Sequence, residues 1–181
     1  MGVDGRPGNI AKAMFVKEAL GLDDVDFVCD DVRNVSASRY GEFDAIICSG
    51  ILYHLDSPDV FILIERMLDM VRNRVVIDTH VSLDSHTSVR YKGKTYHGAN
   101  VKEPHAGYLG DHPVELAPEQ FRPEFTWASL HNPTSFHLSR PSLVNALQQA
   151  GFSSVYECFN PPHLNFGSLD WSMQIGALSW H

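Results

Sequence analysis

The chain has 181 residues, enough for about one ordinary domain with a buried core. Its hydrophobic fraction of 44% and charged fraction of 20% are typical of a soluble globular protein. A formal charge of −8 argues against a broad phosphate-binding surface and so against nucleic acid as a partner, although it leaves room for a local basic patch. We see no apolar run that could span a bilayer and no secretory leader, so we expect a cytoplasmic protein.

The amino-terminal segment predicts two short strands around one helix. Met1–Gly8 has the pattern of the end of a strand that finishes in a carboxylate and a glycine-rich turn. The pattern predicts a helix over Asn9–Leu20 that ends at Gly21. A second strand is predicted over Val25–Cys29. The three cysteines lie in apolar, strand-like runs, which predicts buried, reduced thiols (Cys29, Cys48 and Cys158).

The centre of the chain is an apolar strand followed by polar residues. Phe43–Cys48 is apolar without alternation, which predicts a strand buried on both faces of a parallel sheet. Ser49-Gly50 then forms a corner where backbone can approach a ligand. Tyr53 and His54 follow, and both side chains can exchange protons. Ser57-Pro58 predicts the start of the next helix, with serine as the N-cap.

The second half of the chain is interrupted by a long segment without periodicity. A buried strand is predicted over Val75–Ile77, and residues 82–137 then show no sustained pattern, which predicts a packed, irregular lid. Regularity returns with a helix from Ser139 to Gly151. The last two strands, Ser153–Phe159 and Trp171–Leu178, should pair antiparallel because no helix connects them. We see one domain, residues 1–181.

Polar residues follow each predicted parallel strand: Asp4, Asp31, Ser49-Gly50 and Asp78-Thr79-His80. In a doubly wound sheet these strand ends lie along one edge, so the groups should converge on one crevice. An acid before a glycine turn suits ribose hydroxyls, and a second acid can accept from an exocyclic amine. The alternative is that each acid merely caps the following helix, where negative charge is favoured. The ordered set favours a nucleoside site.

Three segments resemble motifs of class I S-adenosylmethionine-dependent methyltransferases. Residues 2–7 resemble the ribose-binding acidic motif, and residues 29–32 resemble the adenine-binding motif. Residues 43–54 resemble the fourth motif of a subgroup with a G-x-L-Y-H signature. The helix, strand and antiparallel final strand at the end of the chain also fit this family.

The resemblance implies an α/β fold: a doubly wound, mostly parallel Rossmann-like sheet with an antiparallel C-terminal strand and a lid insertion over about 82–137. It implies S-adenosylmethionine as the cofactor. It also implies a set of cofactor-binding residues, with Val32 as a backbone and apolar contact: Asp4, Gly5, Arg6, Asp31, Val32, Ser49 and Gly50.

The first strand of the family and its G-x-G-x-G turn have no counterpart in the sequence. The chain therefore resembles a family member truncated at its amino terminus, and the missing strand would be central. Three explanations remain open: Met1 is not the natural start, another polypeptide completes the sheet, or strands two and four of the family pair directly with each other.

Catalytic candidates follow the fourth motif. His54 is the best candidate base because it neighbours the crevice and histidine titrates near neutrality. Tyr53 could close over the cofactor or substrate, and His80 is a second candidate. The alternative is that Tyr53 and His54 only pack the helix entrance. Histidines of the lid match no compact metal-ligand spacing, so we expect no metal: His86, His97, His105, His112, His131 and His137.

Three functions fit these patterns. The first is a methyltransferase acting on a small-molecule acceptor. The second is an enzyme that modifies the wobble uridine of tRNA, because the G-x-L-Y-H signature also resembles that subgroup. The third is a catalytically degenerate methyltransferase-like domain that serves in binding or assembly. The third hypothesis predicts an exposed sheet edge, through which the chain could form a homodimer.

Overall fold

A computed structural model describes residues 1–103, 108–109, 112–113, 128–158 and 172–179. The first half contains four strands and three helices, with 3-10 turns at Val32–Asn34 and Leu52–His54. In chain order these elements are β1 Gly2–Asp4, α1 Pro7–Leu20, β2 Phe27–Cys29, α2 Ala37–Tyr40, β3 Phe43–Ser49, α3 Asp59–Met70 and β4 Val71–His80. The second half contributes β5 Thr87–Tyr91, β6 Lys94–Lys102, β7 Tyr108–Leu109, β8 His112–Pro113, β9 Thr134–Leu138, α4 Arg140–Ala150, β10 Ser154–Glu157 and β11 Ser172–Leu178.

The largest sheet has four strands in the order β10-β11-β4-β3. Strands β3 and β4 are parallel, whereas β11 is antiparallel to both β4 and β10. The antiparallel pairing of the last two strands is therefore confirmed. Helix α3 packs its apolar face against this sheet, and its buried residues are Val60, Phe61, Leu63, Ile64, Met67 and Met70.

Strands β1 and β2 form a separate parallel sheet. Among the described residues β1 pairs only with β2 and β3 pairs only with β4, so direct pairing between β1 and β3 does not occur. A cleft of ≈ 450 Å³ lies between the two strands; we call it the interstrand cleft. Its lining combines β1, β3 and the apolar side chains of α3.

The prediction that β3 is buried on both faces is wrong. Only Cys48 is fully buried in this strand, and Ile47 is 78% exposed. The burial of β3 depends on its neighbours in the fold. Among the described residues it pairs with one strand only, and helix α3 covers one of its faces. Burial raises the pKa of the Cys48 thiol to about 12. Cys29 is exposed, so its predicted burial is also wrong.

Two helix boundaries differ from the sequence-based expectation. Helix α3 begins at Asp59 with Pro58 as its N-cap, so Ser57 is not the cap residue. Helix α1 begins at Pro7 and ends before Gly21, whose φ of 64° is the expected left-handed stop. No residue of α1 is buried, and Leu20 is 67% exposed. The predicted α4 is confirmed, with Ser139 as its N-cap.

The segment 82–137 is not irregular throughout. Strands β5, β6 and β9 form a three-stranded antiparallel sheet. The β5–β6 hairpin turns at Lys92-Gly93, where φ is 46° and 79°. Positive φ at both central residues defines a tight hairpin turn that favours glycine, and this two-residue signal was overlooked. No helix in the described part of the chain is long and apolar enough to cross a membrane.

Candidate functional site

One cleft of ≈ 230 Å³ lies at the carboxyl ends of β1, β2 and β3; we call it the strand-end cleft. All seven residues predicted to bind the cofactor line it: Asp4, Gly5, Arg6, Asp31, Val32, Ser49 and Gly50. His54 lines the same cleft. The convergence arises because parallel strands present their carboxyl ends on one edge, even though β1 and β3 belong to separate sheets.

Asp4 is held in place by the start of α1. The backbone N–H of Arg6 donates to its Oδ1 at 2.7 Å, and Nδ2 of Asn9 donates to its Oδ2 at 3.0 Å. Among the described residues each carboxylate oxygen thus has one partner and retains a lone pair for a second donor. Such a carboxylate is positioned to accept hydrogen bonds from a pair of hydroxyl groups in the strand-end cleft.

Asp31 is bound to a residue that the sequence reasoning did not consider. Nε of Arg33 donates to both carboxylate oxygens at 3.0 Å, and Nη2 donates to Oδ2 at 2.5 Å. The Asp31 side chain also accepts from the Arg33 backbone N–H and so caps the following 3-10 turn. Burial raises the pKa of Asp31, but the contacts with Arg33 outweigh it and hold the pKa below its usual value. Little acceptor capacity remains on this carboxylate.

The corner after β3 is fixed by β4. The Gly50 N–H donates to the Asp78 carbonyl at 3.0 Å, and Oγ of Ser49 donates to Oδ2 of Asp78 at 3.2 Å. Gly50 has a φ of 69°, and a Cβ atom there would meet nothing within 4 Å. The constraint on Gly50 is therefore its backbone conformation, and its surroundings are open to the cleft.

A loop from the insertion, residues 128–132, closes one side of the strand-end cleft. Nη2 of Arg6 donates to the Ala128 carbonyl at 2.6 Å. A Cβ atom on Gly5 would clash with the end of the Leu130 side chain, so Leu130 would have to shift if any other residue replaced Gly5. Nδ2 of Asn132 donates to the His54 carbonyl at 2.9 Å and ties the loop to the residues after β3.

His54 is paired with a buried carboxylate. Its Nδ1 lies 3.4 Å from Oε1 of Glu103, a residue that is 4% exposed and was not predicted as part of the site. Oε2 of Glu103 accepts from the backbone N–H of Ser129 at 2.8 Å. Burial raises the pKa of Glu103, but the bonds from His54 and Ser129 outweigh burial and lower it. An ionised carboxylate only accepts, so Nδ1 of His54 is the donor in this pair, and Nε2 has no hydrogen-bond partner among the described residues.

Three further rings pack beside His54. Tyr53 stacks on His80 with centroids 4.1 Å apart, and His137 meets the edge of Tyr53 at 5.8 Å. Burial lowers the pKa of His137 to about 4, and it also lowers the pKa of His80. Both histidines are therefore neutral at neutral pH. Tyr53 and His80 lie outside the lining of the strand-end cleft, whereas His54 reaches it.

His137 was named only as one of the scattered histidines of the lid. Its place beside Tyr53 depends on β9, which the sequence analysis did not predict. His86 and His97 are exposed, and His105 and His112 lie outside the residues whose side chains are described. No group of three or more metal-ligating side chains occurs in the part of the chain that the structure describes.

No protein-family model matches the sequence, and no curated protein matches it significantly. Solved structures do match. The N-terminal domain of EvdMO1, crystallised in the presence of SAH and D-fucose, is similar with a TM-score of 0.70 and 24% identity, over 98% of this chain and 64% of that chain. The apo form of SibL, an S-adenosylmethionine-dependent methyltransferase, has a TM-score of 0.57 and 14% identity, over 100% of this chain and 43% of that one.

A third neighbour is magnesium protoporphyrin IX methyltransferase (ChlM) from Synechocystis PCC 6803 with bound SAM, at a TM-score of 0.52 and 12% identity over 97% of this chain and 57% of that chain. The chain thus spans 64% or less of the length of these structures. Together with the motifs at the strand ends, they show a mixed α/β fold of the class I S-adenosylmethionine-dependent methyltransferase type.

Proposed function

We propose that the chain is a methyltransferase that uses S-adenosylmethionine and acts on a small-molecule acceptor, within one domain that spans residues 1–181. The observation that carries the proposal is the convergence of Asp4, Asp31 and Ser49-Gly50 on the strand-end cleft beside His54. The β5–β6–β9 sheet and loop 128–132 form the lid of this domain.

The residues of the strand-end cleft fit a nucleoside cofactor in their hydrogen-bonding chemistry. Asp4 retains acceptor capacity for ribose hydroxyls, and Gly5 and Arg6 supply the adjoining turn. Val32 gives apolar contact for a base, and the Ser49-Gly50 corner lets the ligand approach backbone. Asp31 contributes less, because Arg33 already occupies both of its oxygens.

The bound cofactor would supply an electrophilic methyl group. The residues of this chain hold and activate the acceptor: Nε2 of His54 takes the proton from an acceptor hydroxyl or amine as the nucleophile attacks. Glu103 orients the imidazole through Nδ1 and stabilises the cation that forms on it. Tyr53 packs between His54 and His80 outside the strand-end cleft, so these two rings hold the imidazole of His54 in place.

The size of the cleft and the charge of the chain both favour a small acceptor. A volume of ≈ 230 Å³ is below the roughly 300–1,000 Å³ typical of ligand pockets, which favours a small acceptor over a large one. The charge of −8 disfavours RNA. The presence of D-fucose with the EvdMO1 domain supports a small polar acceptor.

Calorimetric titration with S-adenosylhomocysteine tests the cofactor site. We expect saturable binding that Asp4→Asn weakens about 10- to 150-fold, because it removes one charge-assisted hydrogen bond of about 1.5–3 kcal/mol. Glu18→Gln, an exposed carboxylate outside the cleft on α1, is the matched control and should bind like the unmodified chain. If the unmodified chain and both variants bound S-adenosylhomocysteine equally well, Asp4 would not bind the ribose.

The other two functions give different results. A tRNA-modifying enzyme would bind RNA with a steep dependence on salt, which a small-molecule enzyme would not show. An assembly domain would bind no S-adenosylhomocysteine and would associate through unpaired sheet edges. The free edges of β1 and β3 are the observation that favours this last function. A homodimer through such an edge stays a prediction, which sedimentation of the chain tests.

A further inference from the structure

Away from the methyltransferase site, we propose that a second cavity binds one small monocyclic carboxylate. This cavity of ≈ 140 Å³ lies between the β5–β6 hairpin and the helices α3 and α4; we call it the hairpin cavity. It shares no lining residue with the strand-end cleft or with the interstrand cleft. The proposal therefore stands on these three elements and does not require methyl transfer.

Three aromatic rings build one wall of the hairpin cavity. Phe61 of α3 stacks on Tyr91 with centroids 4.8 Å apart, and it meets Tyr96 at 4.6 Å. Phe61 and Tyr96 belong to the buried core of the domain. Packed rings of this kind hold one another in position, so the wall joins α3 to both strands of the hairpin and defines the shape of the cavity.

The Tyr96 side chain brings an unpartnered hydroxyl group to the cavity. Tyr96 is 2% exposed, and its hydroxyl has no hydrogen-bond partner among the described residues. In that part of the chain, Oγ of Ser135 is the only fully enclosed side-chain polar atom without a partner, so the Tyr96 hydroxyl opens onto the cavity. Burial and the charge of Glu65 raise the pKa of Tyr96, and the phenol therefore stays protonated and can donate to a ligand.

The hairpin gives the cavity a positive charge. Residues 85–102 contain no acidic side chain and four basic ones, Arg90, Lys92, Lys94 and Lys102, in a chain whose formal charge is −8. Lys92 and Lys94 both line the cavity. This is a local basic patch, and it favours an anionic ligand.

Only one of these two lysines is neutralised. Nζ of Lys92 lies 2.7 Å from Oε1 of Glu65, and the Tyr91 hydroxyl donates to Oε2 of Glu65 at 3.0 Å. Both oxygens of the carboxylate are thus occupied, and its charge is balanced by Lys92. Lys94 is exposed and forms no ion pair among the described residues, so its ammonium group is free to bind a carboxylate.

The remaining lining restricts the body of the ligand. Ile64 lines the cavity from α3, and Ala146 and Ala150 line it from α4. A cavity of about 150 Å³ holds one benzene molecule, so the hairpin cavity has room for a single six-membered ring. The ring would pack on these three apolar side chains. Its carboxylate would then accept from Lys94, from the Tyr96 hydroxyl and from the Gln149 amide, which also lines the cavity.

Other classes of ligand satisfy the cavity less well. An inorganic anion such as phosphate would leave the apolar lining without a contact. A monocyclic amine would need a free acceptor, whereas Glu65 is already bonded through both oxygens. A neutral ring would leave the ammonium group of Lys94 without a counter-charge.

Titration of the full chain with benzoate, followed in proton–nitrogen NMR spectra, tests the proposal. We expect saturable shifts of the Tyr96 and Ala150 amides and none of the Gly5 and Gly50 amides, which lie at the strand-end cleft. Benzamide, which has the ring without the charge, should bind about 5-fold more weakly or worse. Acetate, which has the charge without the ring, should not saturate these shifts. Tighter binding of benzylamine than of benzoate would overturn the anionic character of the site.

Three variants and one control assign the contacts. Lys94→Gln should weaken benzoate binding about 5-fold or more, and Tyr96→Phe, which keeps the packed ring, about 2- to 10-fold. Ala150→Leu should abolish binding, because the larger side chain fills the cavity. Lys12→Gln is the matched control, since Lys12 is exposed on α1 and lies outside the cavity. Benzoate that does not bind, that binds equally to all four variants, or that shifts the strand-end amides instead would overturn the proposal.

Discussion

Nδ1 of His54 lies 3.4 Å from Oε1 of Glu103, a residue 49 positions away in the sequence. The pairing connects the residues after β3 with the end of β6. Glu103 also accepts from the Ser129 N–H, so one carboxylate fixes both the imidazole and the loop that covers the strand-end cleft. The site is therefore built jointly by the α/β sheet and the insertion.

Replacing Glu103→Gln should release the imidazole without collapsing the loop, because the amide oxygen can still accept from Ser129. We expect His54 to change from one Nδ1-protonated tautomer to a mixture. Long-range proton–nitrogen NMR spectra of the histidine rings measure this directly and need no acceptor. Methyl transfer should fall about 10- to 100-fold, as for other residues that orient a functional histidine. An unchanged tautomer would contradict the pairing.

The stability of the chain should depend on pH through His137. Its pKa in the folded chain, about 4, lies below the unfolded value near 6.5, so its contribution to stability is present above the unfolded pKa. This contribution is lost as the pH falls from the unfolded pKa toward the folded pKa. The free energy of unfolding should therefore decrease by about 2–3 kcal/mol between pH 7 and pH 4.5. Urea unfolding at the two pH values checks it. His137→Gln should flatten the dependence, whereas His86→Gln, an exposed control, should not.

Gly5→Ala should destabilise the chain by about 1–3 kcal/mol, because the added methyl group collides with Leu130. In the double variant with Leu130→Ala, much of this loss should be recovered. Gly8→Ala is the matched control, since a Cβ there meets nothing within 4 Å and the site is helical. Thermal unfolding of the unmodified chain, Gly5→Ala, Leu130→Ala and the double variant gives the coupling energy. A coupling energy near zero would mean that the Leu130 side chain does not pack against Gly5.

Asp31→Asn should weaken binding of S-adenosylhomocysteine less than Asp4→Asn does, by about 3-fold or less. The reason is that Arg33 already occupies the Asp31 carboxylate, whereas both oxygens of Asp4 retain acceptor capacity. Parallel calorimetric titrations of both variants decide the order. A larger effect at Asp31 would show that Arg33 moves away when the ligand binds.

The sequence predicted the features that depend on local pattern and on strand order. The strand ends at Asp4, Asp31 and Ser49 converge as expected, and the last two strands pair antiparallel. These features follow from connectivity, because parallel strands joined by helices have their carboxyl ends on one edge.

Features that depend on tertiary partners were missed. Ile47 is exposed because β3 pairs with only one strand among the described residues, and the apolar pattern of β3 does not indicate how many neighbours it has. The role of Glu103 could not be predicted from its sequence neighbours, because it lies in a segment without periodicity. Only its position next to His54 in the folded chain identifies it. The β5–β6 hairpin could have been predicted from Lys92-Gly93, a pair of residues suited to a two-residue turn. It was missed because apolar and polar residues alternate only weakly in the two flanking strands.

The separation of the two sheets has a consequence for cooperativity. Among the strands that the structure describes, none pairs the β1–α1–β2 unit with the four-stranded sheet, and no residue of α1 is buried. Its attachment depends on local contacts such as the Arg6–Ala128 and Arg66–Arg33 hydrogen bonds. We therefore expect this unit to open as a sub-global unfolding event, at a lower free energy than the rest of the domain. The nucleoside half of the proposed site would be lost in that event while the His54 half stays folded.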